Sequence, residues 1–245
     1  MDNSVYITLS RQLALFRDMD ATANNIANAN TTGYTSEHVN FQSYLQQDVN
    51  QGTPNKMAFA YDIHSYRNTE NGPLQLTNNP LDVAINGAGY FSVQTPLGTR
   101  YTRGGSFQLS TDGTLVNAQG QAVLNSGGQP ITLPEDTLEI EIGSLGNIKV
   151  NGEDFDQIGV VTFANEQLLE PAGNNLFKSD APGTQIEESS GIRVVAGALE
   201  GSNVKPVLEM THMMEVSRAV GNTAKFIEVV YDLQRKASNT WAKQA

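Results

Sequence analysis

The sequence has no cysteine among its 245 residues. This absence excludes disulfide bonds, thiolate metal sites and a cysteine nucleophile. The sequence also has no apolar run of about 18 residues, so we expect no membrane-spanning helix. Its N-terminus lacks a basic segment followed by an apolar core, and we therefore expect any export to proceed without a cleavable Sec-type signal peptide.

Charged residues are also scarce, at 17% of the sequence against roughly a quarter in typical globular proteins. The charges are unevenly placed: residues 1–30 carry a net charge of −1, residues 204–245 carry +2, and the middle carries −12. Lys and Arg do not cluster, which argues against nucleic acid as a partner. Near-neutral ends can pack closely without strong repulsion, while the acidic middle is expected to face solvent.

The first 30 residues have the pattern of an amphipathic helix. Apolar residues follow the alternating four- and three-residue spacing of a heptad, which is interrupted at Gln12. The Asn- and Thr-rich residues 28–32 favour an end to the helix, and Gly33 suits a C-terminal stop. The predicted subunit-interface positions of this helix are Val5, Leu9, Phe16, Met19, Ala23 and Ile26.

Residues 204–245 form a second predicted helix with the same spacing, interrupted at Gln234. A helix with more apolar surface than one seam requires must bury more than one face. We predict that one face pairs with the N-terminal helix and that others meet neighbouring subunits; the pattern does not say which. The predicted interface positions are Met213, Val216, Val220, Ile227, Val230 and Trp241. Apolar residues off this line are Met210, Met214, Phe226, Val229 and Leu233.

The middle of the chain divides into two parts. Residues 31–75 have weak periodicity and are predicted to form an extended connector with short β-structure. Residues 76–203 are dense in Asn-Gly, Asp-Gly and Gly-Gly turn signals between short apolar runs, which predicts an antiparallel β-rich domain. The fold class is therefore α+β, with paired terminal helices and an inserted β domain. The predicted strands are 81–85, 89–95, 99–103, 114–117, 121–124, 138–142, 157–163 and 192–196.

Side chains capable of catalysis are scattered along the sequence. His38, His64 and His212 show no metal-ligand spacing, and we predict structural or exposed roles for them. Glu139 and Glu141 alternate with apolar residues, which indicates a solvated sheet face and not a glycosidase carboxylate pair. The sequence has no phosphate-binding glycine motif. We therefore predict no enzyme activity, no cofactor and no metal.

An Asn-rich stretch at residues 23–34 is the most distinctive motif. Read alone, it is a helix end and a loop. It resembles the N-terminal signature of bacterial flagellar rod and hook proteins, the axial family, and further stretches resemble other parts of that family in the same order. These stretches are ANNIANANTTGY (23–34), NGAGYF (86–91), YTRGGSF (101–107), DGTLVN (112–117) and LEGSNV (199–204).

The resemblance implies a structural subunit of the flagellar rod, and residues 1–12 resemble proximal-rod members most. It implies that the terminal helices form a coiled-coil domain lining a hollow rod that transmits torque across the periplasm, and that residues 31–75 bridge subunits. The implied partners are other rod subunits, further copies of the chain and the type III export apparatus, with peptidoglycan nearby. The motif positions implied at subunit interfaces are Asn24, Asn25, Asn28, Thr31 and Gly33.

Three alternatives remain open from the sequence. The chain could be a distal-rod subunit of the same family. It could instead be a secreted module that binds peptidoglycan through its β domain. The heptads could also form a helical hairpin within a monomer, although the surplus apolar surface of the C-terminal helix argues against this.

Overall fold

The computed structural model of the chain describes residues 2–47, 56–134, 136–137, 139–181, 183–186 and 191–244. The chain forms two units. The helix–hairpin unit consists of Met1–Ala27, Glu37–Arg67 and Lys205–Ala245. The β unit consists of Asn28–Ser36 and Asn68–Val204. The predicted connector, residues 31–75, is therefore divided between the two units.

Two helices, α1 (Asp2–Ala27) and α2 (Pro206–Gln244), form where the apolar periodicity predicts them. α2 begins at Pro206, whose fixed φ suits the first helical position. The carbonyl of Lys205 accepts hydrogen bonds from the backbone N–H of Leu208 (3.0 Å) and of Glu209 (3.1 Å). The carboxylate of Glu209, in this first turn, complements the positive end of the helix dipole. Within the described residues, neither helix is long and apolar enough to cross a membrane.

Two long strands complete the helix–hairpin unit. They are β1 (Glu37–Gln47) and β2 (Lys56–Arg67), and they pair antiparallel with a register shift between Gln42 and Ser43. These strands are longer than the short strand predicted here. Val39 and Phe41 do alternate with polar residues, which is the period of a strand, but the surrounding Asn and Gln weaken the signal.

The two helices pack against each other and run in opposite directions. Asn25 of α1 hydrogen-bonds to Glu209 of α2, and seven residues earlier Asp18 accepts a bond of 3.0 Å from Nε2 of His212. From the first contact to the second, the residue number falls in α1 and rises in α2, so the two helices are antiparallel.

The strands of the β unit are short and are separated by tight turns. In chain order they are β3 (Leu74–Leu76), β4 (Val83–Asn86), β5 (Tyr90–Thr95), β6 (Gly98–Thr102), β7 (Phe107–Leu109), β8 (Leu115–Asn117), β9 (Ile140–Ile142), β10 (Asn147–Val150), β11 (Glu153–Gln157), β12 (Val160–Thr162), β13 (Glu170–Pro171), β14 (Phe177–Lys178), β15 (Thr184–Gln185), β16 (Arg193–Ala196) and β17 (Ala198–Glu200).

These strands build several small antiparallel sheets. The largest has the order β13-β14-β6-β5-β12-β15, and a three-stranded sheet has the order β11-β10-β9. The remaining pairs are β16-β4, β17-β3 and β7-β8. The predicted segments 81–85, 89–95, 99–103, 114–117, 138–142, 157–163 and 192–196 each contain part of a strand, while 121–124 forms only isolated bridges.

The core of the β unit is made of inward-facing residues from many strands. Val83, Phe91, Val93, Ile131 and Val160 are among its fully buried members. Each fully buried side chain of this size stabilises the fold by about 1.5–3 kcal/mol relative to its exposed state. The antiparallel β domain predicted from the turn signals is therefore present.

The turn between β10 and β11 shows how the sequence positions such strands. Asn151 and Gly152 both have positive φ, at 52° and 87°. Two left-handed residues in succession match the hairpin turn that Asn-Gly favours, because Asn tolerates this conformation and Gly has no Cβ to oppose it.

Candidate assembly site

The outer face of α1 carries an exposed apolar stripe. Leu9, Leu13 and Phe16 are 55%, 54% and 43% exposed. The opposite face is buried within the helix–hairpin unit by Ala14, Thr22 and the fully buried Asn25. The buried residues of α1 are thus small or polar, whereas three of its large apolar residues are exposed.

The predicted interface positions of α1 fall on both sides of this division. Leu9, Phe16 and Ala23 are exposed, whereas Met19 and Ile26 are half-buried. The side chain of Val5 lies outside the described part of the structure. The predicted heptad line therefore runs along the edge of the buried face and includes part of the exposed stripe.

In α2 the predicted heptad line is the inward face. Val216 is buried, and Met213, Val220, Ile227 and Val230 are half-buried. The side chain of Trp241 lies outside the described residues. The apolar residues off this line are all 50–60% exposed; they are Met210, Met214, Phe226, Val229 and Leu233.

Asn25 is the polar anchor of the helix–hairpin unit. Its Oδ1 accepts a hydrogen bond from the Glu37 N–H at 2.9 Å, and its Nδ2 donates to the Glu37 carbonyl at 2.8 Å. The same Nδ2 lies 3.3 Å from Oε2 of Glu209. One buried side chain thereby ties together the end of α1, the start of β1 and the first turn of α2. The preceding Asn24 is exposed.

The rest of the Asn-rich motif belongs to the β unit. The backbone N–H of Thr31 donates to the Asn28 carbonyl at 3.0 Å, and its hydroxyl lies 3.1 Å from Asn28 Oδ1. Gly33 has a φ of +65°, and a Cβ there would lie 2.4 Å from the backbone carbon of Arg103. Its N–H donates to the Glu200 carbonyl at 2.8 Å. Glycine is required by both the backbone conformation and the space.

A buried ion pair joins two of the other motifs within the β unit. Arg103 Nε donates to Glu200 Oε2 at 3.0 Å, and the two residues are 1% and 2% exposed. Arg103 Nη2 also donates to Asn71 Oδ1 at 2.9 Å and to the Gly87 carbonyl at 2.8 Å. Glu200 Oε1 accepts from the Gly72 N–H at 3.0 Å. Such hydrogen bonds are needed to compensate the desolvation of two charges.

Asn203 makes a second polar junction close to Glu200 in sequence. Its Oδ1 accepts from the Ser36 N–H at 2.7 Å, and its Nδ2 donates to the carbonyls of Asn68 and Glu70, both at 2.8 Å. In the sequence, Arg103, Glu200 and Asn203 stand out only as parts of motifs. The periodicity of a sequence reports its apolar residues and not its buried polar ones. The partners of these three side chains are therefore known only from the structure.

Two titratable groups of the β unit have a shifted pKa. Burial raises the pKa of the Tyr101 hydroxyl, and a hydrogen bond to Asp180 raises the pKa of the exposed Lys178 amine. Both shifts hold these groups in their ordinary protonated forms at neutral pH. Across the described ranges, no three His, Asp or Glu side chains converge as metal ligands.

Three protein-family models match the chain. One, described as a flagella basal body rod protein, matches residues 6–35. Another, the flagellar hook protein FlgE/F/G D1 domain, matches residues 84–150. The third, the flagellar basal body rod FlgEFG protein C-terminal model, matches residues 195–240. The matched ranges include most of α1, most of α2 and both residues of the buried ion pair.

Curated relatives match over nearly the full length. The chain is 36% identical to the flagellar basal-body rod protein FlgF of Caulobacter vibrioides, over 97% of each chain. It is 31% identical to FlgG of the same bacterium, over 90% of this chain and 92% of that one. It is also 31% identical to FlgG of Bacillus subtilis, over 98% and 99%. The chain therefore belongs to the family of flagellar basal-body rod proteins, which are structural proteins and not enzymes.

Proposed function

We propose that this chain is a subunit of the proximal part of the flagellar rod, located in the basal body, and that it polymerises through its terminal helices. The observation that carries the proposal is the exposure of large apolar side chains on both helices of the helix–hairpin unit. Apolar faces of this extent mark protein contacts. In a rod the same faces repeat from subunit to subunit, because head-to-tail contacts that do not close produce a filament.

The heptad spacing of both helices supports a coiled-coil arrangement in the assembled rod. The inward line of α2 keeps the four- and three-residue alternation from Glu209 to Val230, which is the period that keeps a seam facing a partner helix. We propose that this seam is intramolecular and that the outward apolar residues form the subunit contacts. The rod would then transmit torque across the periplasm through many parallel interfaces.

A distal-rod role in the same family is the competing proposal. Within one bacterium, the identity to FlgF exceeds the identity to FlgG by 36% to 31%. The opening residues resemble proximal-rod members as well. Both observations favour the proximal position. Partners would be the other rod subunits and the type III export apparatus.

The test is the substitution Leu9→Glu, made in a flagellate host whose own copy of the gene is deleted. Leu9 is 55% exposed on the α1 stripe, so a charge there leaves the fold intact and opposes burial at a subunit contact. We expect loss of swimming and loss of the protein from isolated basal bodies.

The matched control is Leu97→Glu. Leu97 is 83% exposed between β5 and β6, in the β unit, so the same chemical change falls outside the proposed contact. This variant should swim and should appear in basal bodies. Normal motility of the Leu9→Glu strain, with the protein present in its basal bodies, would contradict the assignment of the α1 stripe to assembly.

A further inference from the structure

Gly221 lies in the interior of α2, where no contact with the described residues requires a glycine. It is exposed, and no described atom lies within 4 Å of the position that a Cβ would occupy. Its φ is not in the left-handed region. Glycine in a helix interior costs about 1 kcal/mol relative to alanine. Neither the helical conformation of Gly221 nor its packing against the described residues offsets that cost.

Gly221 belongs to a line of exposed residues that lies about 100° around α2 from its buried line. The line follows four- and three-residue steps, with large apolar side chains at its N-terminal end, three small residues in its middle and a glutamate at its C-terminal end. Its members are Met210, Met214, Ser217, Gly221, Ala224 and Glu228.

The exposed stripe of α1 has a matching pattern. It follows the same steps, and it also carries its large side chains toward the N-terminal end of the helix. Its members are Leu9, Leu13, Phe16, Asp20, Ala23 and Ala27. If the two stripes are laid together antiparallel with Phe16 opposite Gly221, four large residues meet small ones and two pairs do not follow this rule. The matched pairs are Leu13 with Ala224, Phe16 with Gly221, Met214 with Ala23 and Met210 with Ala27; the other two are Leu9 with Glu228 and Asp20 with Ser217.

We infer that α1 of one copy of this chain docks antiparallel on α2 of a second copy through these two stripes, with Phe16 seated on Gly221. This inference rests on the proposed function and adds the contact surfaces and their register. The absence of a Cβ at Gly221 lets the aromatic ring approach the helix backbone. Met210 and Met214 then face Ala27 and Ala23.

Charge agrees with the same register. Asp20 lies four residues after Phe16, about 6 Å along α1, and Arg218 lies three residues before Gly221, about 4.5 Å along α2. In an antiparallel pair these two displacements have the same direction. The two residues are therefore brought together as an ion pair. The helix–hairpin unit has ten acidic and ten basic residues, whereas the β unit has sixteen and five. A neutral unit with both signs can approach its own copy without net repulsion.

The contact is heterologous, because a stripe on α1 meets a different stripe on α2. After docking, the first copy keeps an unused α2 stripe and the second keeps an unused α1 stripe, so the contact propagates. The intramolecular helix pair remains intact, since its seam uses other residues; in α2 the inward line lies one residue, or about 100° around the helix, from the exposed line.

The test uses the absence of native cysteine. The substitutions Phe16→Cys and Gly221→Cys together introduce the only thiols in the chain. A disulfide forms when the two Cα atoms lie within about 7 Å, which seating Phe16 on Gly221 provides. Basal bodies from cells carrying this double variant are treated with copper phenanthroline. A ladder of dimers and higher multimers is expected; a disulfide within one chain would leave a monomer.

The control couples Phe16→Cys with Asn222→Cys. Position 222 is exposed on the same helix but points about 100° away from Gly221. Its ladder should be weaker by roughly tenfold or more. Equal ladders, or no ladder from the Phe16→Cys and Gly221→Cys chain incorporated in basal bodies, would overturn the register. Absence of the wild-type chain from basal bodies would instead overturn the proposed function.

A second pair of variants answers the question even if the double-cysteine chain is not incorporated. Gly221→Gln and Asn222→Gln place the same helix-favouring residue at adjacent exposed positions. Hydrogen exchange over residues 206–244 should be no faster in either. Only the Gly221→Gln variant should be lost from basal bodies, because the glutamine side chain occupies the space that Phe16 of the neighbouring copy would take. Incorporation of both, or exclusion of both, would refute the proposal.

Discussion

Replacing Arg103 by methionine tests the account of the β unit most directly. The guanidinium is 1% exposed and donates to Glu200, Asn71 and the Gly87 carbonyl. Methionine keeps much of the side-chain volume but removes every donor. The Glu200 carboxylate then remains buried, with the Gly72 N–H as its one remaining partner among the contacts described above.

The expected loss is about 3–5 kcal/mol of the free energy of unfolding, which is typical when one partner of a buried pair is removed. For a unit of this size, each kcal/mol lowers the melting temperature by about 2–4 °C. The β unit should therefore melt about 6–20 °C lower. The assay is calorimetry of the full chain, combined with hydrogen exchange over β5 and β6 to identify which unit unfolds.

Arg100→Met is the matched control, because Arg100 is only half-buried and donates to the carbonyl of its neighbour Thr99. It should cost about 0.5 kcal/mol or less. Adding Glu200→Gln to Arg103→Met should cost less than Glu200→Gln alone, since the charge it removes is already unpaired. A loss for Arg103→Met below about 1 kcal/mol, or equal to that of Arg100→Met, would refute the reasoning.

Two further substitutions separate the units. Gly33→Ala should destabilise the β unit by more than Gly120→Ala in denaturant unfolding, because both have positive φ but only Gly33 has backbone within 3 Å of the new Cβ; equal losses would argue against the close contact. Asn25→Ala leaves the Glu37 N–H and carbonyl without this partner and should cost about 2–4 kcal/mol. Hydrogen exchange should then rise in α1 and β1, while the exposed neighbour Asn24→Ala changes it little; indistinguishable profiles would disprove the anchor.

The helices and most strands could be predicted from the sequence because periodicity and turn chemistry are local signals. The orientation of each helix face could not. Leu9 and Phe16 lie outward, whereas Val216, at an equivalent heptad position in α2, lies inward. Hydrophobicity alone does not distinguish a face that packs within the chain from one reserved for another molecule. The inward residues of α1, Ala14 and Thr22, are small, so they contribute little to the apolar pattern.

The polar anchors were beyond prediction for a different reason. Arg103 and Glu200 are far apart in sequence, and a buried charge looks like a surface charge until its partner is known. Asn25 and Asn203 were visible as motif residues, but their partners are mostly backbone groups, which every residue carries. The sequence motifs therefore indicated where such groups lie and not what they bind.

The two segments of the β unit, residues 28–36 and 68–204, are hydrogen-bonded to each other near their C-terminal ends. Gly33 bonds to Glu200, and Asn203 bonds to both Tyr34 and Ser36. The two ends of the longer segment also meet, because Asn203 Nδ2 donates to the Asn68 carbonyl. A segment closed in this way can be lengthened or shortened between its ends without altering β2 and α2, into which the ends continue. Insertions in turns such as the one at Asn151 should therefore leave polymerisation untouched. A fluorescent tag inserted there should label the assembled rod without stopping its rotation.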